Sequence, residues 1–80
     1  MTLTTTELLA LAKAHPGEPI EVRLGLKGGC FTTHYVEWWD GRYYDTGCDD
    51  IRRRISAKTM QQLYPDSFGK IWMLMTEVSK

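Results

Sequence analysis

Cys30, His34, Cys48 and Asp49 carry the side-chain types of a zinc site, and Cys30 and His34 stand four positions apart. A structural zinc needs four ligands that converge tetrahedrally. The chain has no Cys-x-x-Cys pair, and strand alternation sends Cys30 and His34 to one face and Cys48 to the other. No metal and no cofactor are therefore expected, and the diverging Cβ vectors argue against a Cys30–Cys48 disulfide. A thiol nucleophile would need a histidine base within hydrogen-bond reach. Four strand positions separate Cys30 from His34 by roughly 13 Å. The other histidine, His15, falls at a predicted helix end. Cys48 is expected as a small buried thiol and His34 as a surface strand residue.

Asp45, Asp49 and Asp50 could do acid–base work if burial drove their pKa values apart. They follow a Tyr-Tyr strand into the Thr46-Gly47 break and read as turn residues of a solvated loop. Gly25, Gly28 and Gly29 follow one strand and lead into another, so no helix N-terminus is available for a phosphate loop. No catalytic group converges, and the expected class is a non-enzyme.

The stronger signal is aromatic. Val36-Glu37-Trp38-Trp39-Asp40-Gly41-Arg42-Tyr43-Tyr44-Asp45 places Asp-Gly between two strand-forming runs. A type I′ turn needs positive φ at both central residues, and Asp-Gly supplies it. Four large rings sit beside this turn, in a chain with three Trp, four Tyr and two Phe. Arg52-Arg53-Arg54 is the basic run, and guanidinium groups suit phosphate, carboxylate and aromatic faces alike. An arginine run is equally what a solvated edge strand uses to discourage edge pairing.

These residues need elements to position them. Leu3-Thr4-Thr5-Thr6-Glu7-Leu8 has the pattern of a capping box with a hydrophobic staple, and Pro16-Gly17 ends the helix. Leu8, Leu11, Ala12 and His15 form its apolar stripe, with Leu9 at the edge. Ile20 to Lys27 alternates strictly, as a strand with one buried face does. Strands are predicted from Cys30 to Trp39 and from Arg42 to about Cys48. Ile51 to Ile55 is open between strand and loop. Ser56 caps a short helix from Ala57 to Tyr64, with Met60, Leu63 and Tyr64 inward. Residues 70–78 read as a central buried strand, with a C-terminal helix as the alternative. The predicted class is α+β, in the order α-β-β-β-α-β, with an antiparallel sheet carrying its helices on one face.

Two-residue turns at Gly28-Gly29 and Asp40-Gly41 would pair Leu26 with Phe31, Leu24 with Thr33, Val22 with Tyr35 and Trp38 with Tyr43. The core face would then run through Phe31, Thr33, Tyr35, Trp39, Tyr44, Thr46 and Cys48, with Glu37 and Arg42 on its margin. The open face would hold Glu21, Arg23, His34, Val36, Trp38, Tyr43 and Asp45.

Eighty residues make one domain with a thin core, since such a chain buries roughly 60% of its unfolded surface. Ten basic and ten acidic residues give zero net charge, which argues against a broad electrostatic grip on duplex nucleic acid. No apolar run approaches the ~20 residues of a membrane span, no secretory pattern opens the chain, and two cysteines are too few for a disulfide scaffold. The expected location is the cytoplasm, without a membrane partner.

The expected function is a small protein-binding module, an inhibitor or adaptor of the size that phage and mobile elements often encode. It would dock on a larger protein through Trp38, Asp40, Arg42, Tyr43, Asp45 and His34, with Arg52, Arg53 and Arg54 alongside. The alternative is a single-stranded nucleic acid binder using the same rings and arginines. A homodimer is compatible with either.

Overall fold

The computed structural model describes residues 1–25 and 27–76. Its elements are β1 (Thr2–Leu3), α1 (Thr5–Ala14), β2 (Ile20–Gly25), β3 (Phe31–Trp39), β4 (Arg42–Thr46), β5 (Arg52–Ile55), α2 (Ala57–Leu63) and β6 (Trp72–Leu74). The class is α+β, as predicted. One antiparallel sheet runs β1-β6-β2-β3-β4-β5. Two short strands, β1 and β5, join the elements read from the sequence.

The local signals form as their chemistry dictates. Glu7 N–H donates to Thr4 Oγ1 at 3.2 Å and Thr4 N–H donates to Glu7 Oε1 at 2.9 Å, which completes the capping box. Ser56 Oγ accepts from Thr59 N–H at the start of α2. Asp40 and Gly41 have φ of 51° and 75°, as a type I′ turn requires. Trp38 lies opposite Tyr43, and Glu37 opposite Tyr44, in the predicted register.

The other hairpin differs. Gly25 pairs with Phe31, so the connection is longer than two residues and contains a short 3₁₀ turn at Lys27–Gly29. Gly28 and Gly29 both take positive φ within that loop instead of forming the whole of it. Leu26, expected opposite Phe31, lies outside the described residues. Val22 now faces His34, and Leu24 faces Thr32. A one-residue change in register exchanges the two faces of β3 and β4 relative to β2. This overturns the expected faces: Val36, predicted open, is fully buried, and Phe31, predicted core, is 53% exposed.

The core lies between the sheet and the helices. Leu3, Leu8, Leu9, Ala12, Ile20, Val22, Leu24, Val36, Met60 and Trp72 make it. In α1, Leu9 is buried and Leu11 only partly so, a small rotation from the predicted stripe. Leu63 is not inward as predicted but 55% exposed, because α2 ends there and Tyr64 turns onto the core in its place. Trp72 is the largest buried side chain. Its indole N–H donates to Thr5 Oγ1 at 3.0 Å, and the Thr5 hydroxyl donates to the Tyr64 carbonyl. One polar chain thus ties β6 to α1 and to the end of α2. The final run forms a strand only over Trp72–Leu74, and it alternates, with Met73 50% exposed. Residues 77 and 78 of the predicted strand lie outside the described residues.

Three surface carboxyls brace the ends of these elements. Asp66 accepts from the Thr6 hydroxyl and amide, Glu7 from Lys70 and the Thr4 amide, and Asp49 from Arg53 and the Ile51 amide. These partners hold all three below the usual carboxylate range. A depressed carboxyl contributes stability above its unfolded pKa, and that contribution is lost as pH falls through the folded value. Asp66→Asn is therefore expected to lower stability near pH 7 but much less near pH 3, as read by urea unfolding at both. An equal loss at both would show that ionisation of Asp66 plays no part.

Candidate functional site

The register divides the predicted site residues between two surfaces. Trp38 and Tyr43 lie on the helix side and are half-buried, not on the open face. Their rings meet edge to face at 4.6 Å, and Tyr43 O–H donates to the Leu9 carbonyl at 3.1 Å. Burial pushes the Tyr43 phenol above its ordinary pKa.

His34 and Asp45 accompany them. His34 is not the expected surface histidine: 14% of its side chain is exposed, and it meets Trp72 and Tyr64 edge to face. Asp45 is half-buried, with its carboxylate against this ring. A carboxylate only accepts, so His34 Nδ1 donates to Asp45 at 3.1 Å and Nε2 accepts from the Thr32 hydroxyl at 3.0 Å. Hydroxyl, imidazole and carboxylate stand in the order used by nucleophile–base–orienter chains. The packing supports a different role. The chain satisfies both ring nitrogens of a histidine wedged under Trp72 and Tyr64, and it fastens β3 to β4. Burial first, then the Asp45 charge, raises the Tyr64 phenol pKa beside it. The pairing was readable from the sequence, because the Asp40-Gly41 register alone puts His34 and Asp45 diagonally on one face.

The open side of the sheet carries the exposed rings. Phe31, Thr33, Tyr35, Glu37 and Trp39 of β3 point there, flanked by Glu21 and Arg23 of β2, Tyr44 of β4 and Met73 of β6. Phe31 and Trp39 are each 53% exposed, and Tyr35 is exposed at 36%. Two guanidinium groups lie over rings: Arg23 over Phe31 at 4.5 Å, and Arg52 over Tyr44 at 3.8 Å. Arg52 also pairs with Glu37 at 3.1 Å. The sequence pattern places Phe31, Tyr35 and Trp39 on the core face with Glu37 and Arg42 on its margin, but the observed register puts all five on this open side.

The arginine run forms β5, an edge strand. Arg52 turns to the open face, and Arg53 pairs with Asp49 at 2.8 Å, which sustains the Arg53 charge. Arg54 lies opposite Tyr44 and so is on the open side of the edge strand as well. At the hairpin end a groove of about 520 Å³ is walled by Trp38, Tyr43 and Ile55, with Lys13, Arg42 and Arg54 among the residues that border it. Asp40 sits exposed at the turn itself.

Cys48 is exposed rather than buried, and Cys30 is exposed as well; both are free thiols. Cys48 stands past the end of β4, with its thiol 3.7 Å from the Thr33 carbonyl oxygen. Among the described residues no three His, Cys, Asp or Glu side chains converge as a metal-binding group, and no helix is long and apolar enough to cross a membrane. Compared with protein-family models, with curated proteins and with solved structures, this chain matches none.

Proposed function

We propose that this protein is a small non-enzymatic binding module that docks on a larger protein through the open face of its sheet, as an inhibitor or adaptor. The observation that carries this reading is the exposed row Phe31, Tyr35 and Trp39 on a single strand, with Met73 across the sheet. Monomeric proteins rarely leave large rings grouped in the open. Aromatic residues, Met and Arg are the types enriched at protein interfaces. The charges on this face are mixed and partly self-paired: Arg52 is held by Glu37 and Tyr44, and Glu21 stands beside Arg23. Such a surface suits a protein of mixed polarity better than a phosphate backbone, which favours unopposed cations.

Affinity capture with the wild type, Tyr35→Ala and Trp39→Ala tests this. A protein retained by the wild type is expected to bind each variant more weakly by at least ~2 kcal/mol, or about thirtyfold in Kd, if these rings anchor the interface. Equal retention by all three chains overturns the face assignment. Recovery of single-stranded nucleic acid in place of protein overturns the partner class. Self-association that is lost in both variants makes the partner a second copy.

A further inference from the structure

We infer that the outer edge of β5 takes an acidic, extended segment of a partner protein as an added antiparallel strand. This names the kind of partner for the docking proposed above, and it rests on the reading that the protein binds another protein. The contact is made by the backbone of β5 and not by the rings of β3, so the edge and the face can fail separately.

The edge comes first. The sheet ends in β1 on one side and in β5 on the other. β1 has two residues, too few to template a strand, whereas β5 has four, and Arg52, Arg53 and Arg54 are exposed. A two-residue turn closes with a hydrogen-bonded pair, here Trp39 and Arg42. Alternation along β4 then directs the peptide groups of Tyr43 and Asp45 to β5, where Ile55 and Arg53 lie opposite them. Arg52 and Arg54 therefore turn their own amides and carbonyls outward. Among the described residues these groups meet no other backbone partner. Such a row of open donors and acceptors is what an incoming strand pairs with.

Charge selects what can pair there. The side chains of Arg52 and Arg54 stand on the open side, opposite Thr46 and Tyr44, and Arg42 stands on the same side of β4. Arg52 is held by Glu37 and Arg53 by Asp49, while Arg54 and Arg42 make no ion pair among the described residues. A second copy pairing edge to edge would set one arginine strand against another, and like charges across strands are destabilising. The run that repels this chain's own edge attracts an acidic one. In an added antiparallel strand, the residue hydrogen-bonded to the Arg54 backbone also lies across from the Arg54 side chain. An acidic residue there gains the ladder bonds and the cross-strand ion pair together. A nucleic acid strand supplies the charge but has no repeating amide and carbonyl row to match the edge.

NMR titration with short synthetic peptides tests this. The probe alternates glutamate with threonine. One control replaces each glutamate with lysine, and the other N-methylates the glutamate amides and keeps the charge. The glutamate peptide is expected to shift the Arg52 and Arg54 amides and to slow their hydrogen exchange. It should bind at least about tenfold more tightly than either control. The N-methylated peptide separates strand addition from attraction alone, because only the donors are lost. Arg54→Glu, at an exposed edge position, should weaken the glutamate peptide by about tenfold and favour the lysine peptide. Tyr35→Ala should bind the glutamate peptide as the wild type does. Peptide addition at β5, with partner capture unaltered in Tyr35→Ala and Trp39→Ala, would keep the edge and remove the face. The inference is overturned if the glutamate peptide leaves the Arg52 and Arg54 amides unshifted, if the N-methylated peptide binds as well, or if Arg54→Glu binds like the wild type. Oligothymidylate that protects the same amides better than the peptide does would overturn it too.

Discussion

Trp72→Ala is expected to unfold most of the protein, whereas Met73→Thr, one residue along, leaves it folded. Trp72 is fully buried and meets His34 and Tyr64 edge to face at 5.3 and 5.0 Å. Truncating a buried Trp costs about 3–5 kcal/mol through lost transfer energy and the cavity that remains. The indole N–H is also the donor to Thr5, whose hydroxyl in turn holds the Tyr64 carbonyl, so its loss loosens α1, α2 and β6 together. A chain of 80 residues has about 4–12 kcal/mol of stability in all. Met73 points to the open face, opposite Thr2 and Arg23, and threonine suits a strand. Its change should stay within about 0.5 kcal/mol. Urea unfolding followed by far-ultraviolet circular dichroism separates the two, and a loss below about 1 kcal/mol for Trp72→Ala would remove Trp72 from the centre of the core.

This contrast also marks how far the sequence is legible. Signals closed within a few residues come through intact: the Thr4–Glu7 box, the Ser56 cap and the Asp40-Gly41 turn each depend on bonds or dihedrals that neighbouring residues determine. The alternation in β2 is equally plain, since Ile20, Val22 and Leu24 are buried together. What sequence does not show is how many residues the chain uses between Gly25 and Phe31. Two adjacent glycines permit a two-residue turn and also a longer loop, because φ > 0 at both is compatible with either. That single difference of register placed the rings on the wrong sides and displaced the candidate surface from Trp38 and Tyr43 to Phe31, Tyr35 and Trp39. The three-residue β6 was stretched for a related reason. An apolar run reads as continuous burial unless the neighbour on each side is known, and Met73 faces solvent because β1 and β2 flank it in the plane of the sheet while the helices cover only one side. The His34–Asp45 contact needed no information beyond the hairpin.

The face assignment has a decisive test in two adjacent residues. Val36→Lys is expected to abolish folding, and Tyr35→Lys to preserve it. Val36 is fully buried opposite Ile20, between β2 and β4 and beneath α1. Replacing it forfeits about 1.5–3 kcal/mol of apolar burial and also places an ammonium where it has no partner. Burying an unpaired charge costs several kcal/mol more, and together these match the whole stability of a domain this small. Tyr35 stands on the other side of the same strand, partly exposed, with Glu21 directly across. A lysine there keeps its ammonium in water and gains a cross-strand carboxylate, so the net change should be within about 1 kcal/mol. The register with a two-residue Gly28-Gly29 turn predicts the reverse order, with Val36→Lys tolerated and Tyr35→Lys disruptive. Far-ultraviolet circular dichroism and amide dispersion by NMR read the result directly. Tyr35→Lys carries a further consequence, because it alters the proposed docking face without disturbing the core. A folded Tyr35→Lys protein that no longer retains the partner would separate binding from stability, and one that retains it fully would move the interface off this face.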